Sequence, residues 1–312
     1  MIATLTLNPC LDNYIPVSGI EQDETTRSGK VLQYPGGKGI NVSRAINEMG
    51  GETVAFGLVG GESGHILTQL LFDQRVPVSL TSIGGETRTC FIISDSGTEH
   101  QTRISPPGPH VNQTETIRLL SQIWSLKHKP EILVCGGSAP PGVPYDIYAV
   151  IIEEASKRGI PAVLDSSGQY LKQGIKAKPY LVKPNVVEAE ELLGRSLISE
   201  KSIIKAVKEI LSYGVANAVI SRAERGLIAV SATEAVKTVP PSVKVSSTVG
   251  AGDCTVAGLA MALAEGKSLG EACRLGTAMG TAAVLAVGTG LAKKSDVLRL
   301  LSQVKVTNLN AV

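Results

Sequence analysis

The chain has 312 residues, of which 43% are hydrophobic and 19% charged. That composition excludes long disorder and supplies a large core without disulfide or metal staples. Its 30 basic and 28 acidic residues leave a net charge of +2, and aromatics make up 4%. Both values argue against a nucleic-acid partner, which needs a basic, base-stacking surface. The length fits one large domain, taken as residues 1–312.

In chain order, the opening MIATLTLNPCLD reads as a strand and lacks the basic stretch of a signal peptide. Strands are expected at 2–7, 53–59, 131–135, 161–165, 180–183, 217–221 and 227–230. Helical faces lie between them: Val42, Ala45, Ile46 and Met49 form one, Ile203, Val207, Ile210 and Leu211 another. This alternation implies an α/β fold with a mostly parallel sheet flanked by helices, whose ligands sit at the C-terminal strand ends. Residues 13–35 and 86–105 break the rhythm. They read as strands and turns of a small β-sheet lid. The uncharged run 275–292 is rich in Gly, Ala and Thr, so it is expected to be a buried helix ending near Gly288 and not a membrane span. The five cysteines, Cys10, Cys90, Cys135, Cys254 and Cys273, form no CxxC pair and predict neither disulfides nor structural zinc. A cytoplasmic protein without a membrane partner is expected.

Three segments carry chemistry. In Ser247-Thr-Val-Gly-Ala-Gly-Asp253, a turn of small residues opens into an Ala-rich helix. The first amides of a helix lack internal acceptors, and Gly250, Ala251 and Gly252 let an anion approach them. Asp253 is a good residue at a helix start. It is also a carboxylate beside an anion site, and phosphoryl transfer to an alcohol needs that pair. Pro35-Gly-Gly-Lys-Gly-Ile-Asn-Val-Ser-Arg44 repeats the design, with Gly37 in the turn and Lys38, Asn41 and Arg44 as donors. It is not a Walker A loop: the one GK[ST], Gly266-Lys267-Ser268, has Met261 where the first glycine belongs. In Lys183-Pro-Asn185-Val-Val-Glu188, Asn185 and Glu188 share a helical side. They suit either a hydrated magnesium ion carried by nucleotide phosphates or a helix cap.

Taken together, GGKGINVSRAINEMGG, LVKPNVVEAEELL and STVGAGDCTVAGLAMAL resemble the signatures of the PfkB (ribokinase-like) carbohydrate kinases. The resemblance is strongest to the phosphosugar branch: 1-phosphofructokinase, the minor 6-phosphofructokinase and tagatose-6-phosphate kinase. It implies a ribokinase-like fold and ATP-dependent transfer to a hexose phosphate with Mg2+. Asp253 would be the base, and the turn Gly250, Ala251, Gly252 the anion hole. The substrate would be held by Asp12, Arg27, Gly37, Lys38, Asn41, Arg88, Ser138 and Asp165, with Asp12 carried on the opening strand. The nucleotide would meet Lys183, Asn185, Ser221, Arg222, Gly226, Thr248, Gly250 and Gly252, and the metal Asn185 and Glu188. The family's SLGxxG loop is here Ser221-Arg-Ala-Glu-Arg-Gly226, with Ala223 in place of a glycine. Lys38 leans toward the 1-phosphofructokinase and tagatose kinase groups, whereas Gln101-Thr-Arg103 leans toward the 6-phosphofructokinase type. The resemblance also implies a homodimer through the β lid. Other sugars or nucleosides, and a non-catalytic sugar-phosphate-binding regulator, remain alternatives.

Overall fold

The computed structural model describes residues 1–20, 23–98 and 100–309. The chain begins with β1 (Ile2–Thr6), β2 (Cys10–Val17), β3 (Leu32–Gly36), α1 (Lys38–Met49), β4 (Thr53–Val59), α2 (Gly61–Asp73) and β5 (Val78–Ser82). There follow β6 (Arg88–Asp95), β7 (His100–Ile104), α3 (Gln113–Trp124), β8 (Ile132–Gly136), α4 (Ile147–Lys157), β9 (Ala162–Asp165), α5 (Gly168–Gly174) and β10 (Leu181–Val182). The C-terminal part contains α6 (Val186–Leu193), α7 (Glu200–Ser212), β11 (Asn217–Ser221), β12 (Leu227–Ser231) and β13 (Ala235–Val239). It ends with α8 (Ala251–Ala264), α9 (Leu269–Ala283), α10 (Lys294–Leu301) and β14 (Lys305–Asn308).

A 10-stranded sheet runs in the order β14-β13-β12-β11-β10-β9-β8-β1-β4-β5. From β5 to β11 its neighbours are parallel; β12, β13 and β14 complete it antiparallel. The parallel strands are buried on both faces, so successive residues serve opposite cores. In β8, Leu133 and Cys135 face the core covered by α3, α4 and α7, while Ile132 and Val134 face the one covered by α1, α8 and α9. A 4-stranded sheet, β3-β2-β6-β7, stands apart, with β2 and β6 parallel at its centre.

The main sheet departs from expectation at its rims. β5, β13 and β14 have short or mixed polar–apolar sequences without a clean period, and only pairing with a neighbour makes them strands. The lid begins earlier than expected: β1 ends at Thr6, and Pro9, which has no N–H to donate, separates it from β2. Asp12 therefore belongs to the lid sheet and not to the opening strand. The buried helix α9 stops at Ala283, short of Gly288, because the Val284 carbonyl accepts from Ser246 and Ser247 (2.7 and 3.3 Å) instead of extending the ladder. No helix among the described residues is long and apolar enough to cross a membrane.

Helices α8 and α9 meet at Gly258 and Gly276. A methyl group on Gly258 would lie 2.7 Å from the Gly276 Cα, inside van der Waals contact. Gly258→Ala should cost about 1–3 kcal/mol through overpacking. Thermal unfolding checks this; an unchanged midpoint would mean the two helices separate without strain.

Candidate active site

Two helix starts converge at the C-terminal ends of the parallel strands. Gly37 precedes α1 at φ 117°, where a Cβ would lie 2.5 Å from Thr6 Cγ2. Gly250 precedes α8 at φ 82°, the left-handed conformation that glycine tolerates. Beyond it, the amides of Gly252 and Asp253 have no acceptor among the described residues, and the space beside Gly252 is open. An anion can therefore meet the positive end of α8.

The helices are joined by side chains. Asn41 Nδ2 donates to Asp253 Oδ2 at 2.8 Å. Asn41 Oδ1 accepts from Arg44 Nη1 at 3.0 Å, so Asn41 presents its NH2 group, and not its oxygen, to the carboxylate. Arg44 is buried and donates elsewhere to Gln74 Oε1 and the carbonyls of Pro35 and Thr289. Burial lowers its pKa to about 10. Burial likewise pushes Asp253 up to about 6, against the pull of the Lys38 charge and the Asn41 hydrogen bond.

Around them sits a chain of ion pairs. Asp165, at the end of β9, is 3.1 Å from Lys38 Nζ and 3.0 Å from Lys183 Nζ. Burial alone would raise its pKa, but the two ammonium groups outweigh it and hold the carboxyl below its usual range. Lys38 also lies 3.9 Å from Glu188 Oε1. Burial works against its charge, yet Asp165, Glu188 and Asp253 raise its pKa.

Gly37, Lys38, Asn41, Thr248, Gly250 and Asp253 line one cavity of about 300 Å3. Sequence reasoning missed three further members of this lining, Ile92, Gln101 and Arg103, all on the small sheet. Gln101-Thr-Arg103 was visible only as a subgroup mark. Gln101 also bridges to the anion loop, where its Oε1 accepts from Ser247 Oγ at 3.3 Å.

Other expected residues lie elsewhere. Arg88 and Ser138 line a separate cavity of about 800 Å3 with Asn8 and Ser105. The Arg88 guanidinium donates to the carbonyls of Asn8, Pro9 and Pro106, which anchors the β1–β2 link and takes up donors assigned to a phosphate. Asp12 is fully buried and lines neither cavity. Arg27 lies exposed between β2 and β3, also off both. Arg222, expected at the nucleotide, is turned inward to Glu200 Oε2 at 2.9 Å. Lys237 shares that carboxylate at 2.8 Å. Within the same loop Ala223 takes φ 50°, the left-handed conformation suited to the glycine it replaces. Ser221 N–H donates to the Pro184 carbonyl at 3.0 Å and so sits beside Lys183 and Asn185. Gly226 lies at the far side of that loop at φ 76°.

Asn185 and Glu188 form a capping box: Asn185 N–H donates to Glu188 Oε2 (2.8 Å) and Glu188 N–H to Asn185 Oδ1 (2.9 Å). The helix-cap alternative is thus realised. It leaves Glu188 Oε1 outside the box, facing Lys38 Nζ at 3.9 Å. That fits a hydrated magnesium ion held mainly by phosphates and touched through water, and does not fit a closed protein cage.

Residues 5–296 match the pfkB family of carbohydrate kinases. The chain belongs to this family. It is 37% identical over 301 residues to ATP-dependent 6-phosphofructokinase isozyme 2 of Escherichia coli (strain K12), covering 96% of this chain and 97% of that one. The crystal structure of E. coli phosphofructokinase-2 in complex with substrates and products superposes with a TM-score of 0.93 at 36% identity, covering 97% and 98% of the two chains. A possible 1-phosphofructokinase from Thermotoga maritima gives a TM-score of 0.90 at 26% identity, covering 99% of each. The fold is ribokinase-like, and the protein is a phosphofructokinase-like carbohydrate kinase, an ATP-dependent phosphotransferase.

A carboxyl whose pKa is raised in the folded state destabilises the fold once it ionises. Asp253→Asn should therefore raise the thermal midpoint at pH 7, and the gain should vanish below about pH 4, where both states hold the proton. Calorimetry across pH checks this; an equal gain at every pH would remove the buried-charge explanation.

Proposed function

We propose that the kinase transfers the γ-phosphoryl group of ATP to a free hydroxyl of a fructose phosphate, giving fructose 1,6-bisphosphate. The observation that carries this reading is the Asp253 carboxylate, aligned by Asn41 one residue beyond the open Gly252 amide. The transferring phosphoryl group would lie against the Gly250–Gly252 turn. Its charge meets the helix end and Lys38 there. The acceptor hydroxyl would give its proton to Asp253, and the Asn41–Arg44 pair keeps that carboxylate from turning away. Arg103 supplies a cation on the lid side of the same cavity, which favours a substrate that itself carries phosphate. Ser138 would meet the far end of the sugar from the larger cavity, whose wall Arg88 braces through its carbonyl contacts. Glu188 would hold hydrated Mg2+ beside the nucleotide phosphates, whose charge the ion partly neutralises when bound.

Five free, buried thiols support a reducing, cytoplasmic setting. The small sheet supports a homodimer, because it ends in two edge strands, β3 and β7, that a second copy can pair. Sedimentation should show a concentration-dependent dimer; a monomer at every concentration would remove that assembly.

Measuring ADP release with Mg-ATP and fructose 6-phosphate, fructose 1-phosphate or tagatose 6-phosphate tests the substrate. One fructose phosphate should exceed the others in kcat/KM, Asp253→Asn should lower kcat by about 10²–10⁴, and kcat/KM should fall as pH drops through about 6. Preference for tagatose 6-phosphate, or turnover only on unphosphorylated sugars or nucleosides, would replace the fructose reading. Binding without turnover on any of them would mark a regulator.

A further inference from the structure

Three ligand-bearing side chains that line neither cavity meet on the small sheet. Cys10 and Asp12 are two residues apart on β2, so they point to one face. Asp12 is registered directly opposite Cys90 on the parallel strand β6. Their sulfur and carboxylate atoms all lie within 4.8 Å of one another, and all three residues are buried. Cys10 Sγ donates to Asp12 Oδ1 at 3.1 Å. Asp12 Oδ2 is buried and has no hydrogen-bond partner among the described residues, an expensive state for a carboxylate unless something else occupies it.

The structure assigns to Cys10, Asp12 and Cys90 a binding site for a thiophilic divalent cation of the zinc class. Two thiolates at about 2.3 Å from a tetrahedral ion lie about 3.8 Å apart, which the observed separation accommodates. A disulfide fits less well. A diagonal offset of two residues on strands about 4.8 Å apart places the Cα atoms about 8 Å apart, beyond the usual disulfide range of about 4.4–6.8 Å. On binding, the ion takes both sulfurs as thiolates, any proton still held on sulfur leaving to solvent, and the carboxylate joins as it is. Two positive and three negative charges leave the complex at −1, a charge that suits the field of Arg103, Arg44 and Arg88 around Asp12. The fourth position stays open to water. Because all three ligands belong to one sheet, movement of that sheet against the main body leaves the set intact. The family resemblance implies that Asp12 meets the sugar; a cation here would withdraw the carboxylate from that role, and only this last consequence rests on the resemblance.

The test uses the full chain and Cd2+, whose thiolate complexes absorb by charge transfer, with Zn2+ as competitor. One Cd2+ per chain should bind and raise the thiolate band, and Zn2+ should displace it. The band should be lost in Cys10→Ser and in Cys90→Ser, and in the corresponding alanine variants should serine disturb folding. It should persist in Cys135→Ser. Retained turnover without added metal shows that the variants fold. No band at one equivalent in the wild type, or a band that survives in Cys10→Ser/Cys90→Ser, overturns the site. Fructose 6-phosphate should weaken Cd2+ binding. If it does not, while the band behaves as expected, the sugar role of Asp12 falls and the cation site stands.

Discussion

Asp253 is buried where ionisation is opposed, and the proposed transfer needs it ionised. The rest of the site is a response to that conflict. Asn41 gives the carboxylate one strong hydrogen bond, and Lys38 gives it a positive field without a direct ion pair. Lys38 itself is pinned by Asp165, and Asp165 by Lys183. Each charge is held by the next, and the ends of β9 and β10 hold the set. The outcome is a carboxyl with a pKa of about 6, in the range that the proposed base would need.

The same economy explains the buried Arg44. A guanidinium without a carboxylate is costly inside a protein, and here four oxygen acceptors satisfy it. Its bond to Asn41 decides which end of that amide faces Asp253. It also links Pro35, at the end of the lid, to Thr289, in the turn after α9. The end of the small sheet and the turn after α9 thus share one buried cation.

The small sheet brings the remaining groups. Arg103 and Gln101 reach the cavity from β7, and Gln101 bonds to Ser247 at the mouth of the anion loop. Both come from strands that are short and exposed, whose role depends on where the sheet is carried. Arg88 and Arg222 make the opposite point. Each resembles a ligand-binding arginine by position, but nearby oxygen atoms, three carbonyls for one and Glu200 for the other, claim their donors first.

The sequence by itself determined the α/β alternation, the parallel core and the two glycine-led helix starts. These depend on local patterns: period-two and helical burial, and turns that only small residues allow. Asn41 and Asp253 were legible for the same reason, since each stands at a fixed offset from its turn. Tertiary structure alone decided that these two side chains, 212 positions apart, share a hydrogen bond. It alone added Arg103 to the cavity, turned Arg222 away from it, and made strands of β13 and β14. It also brought Cys10 and Cys90 together, because cross-strand register is set by pairing between distant segments. Spacing along the chain carries no record of that register.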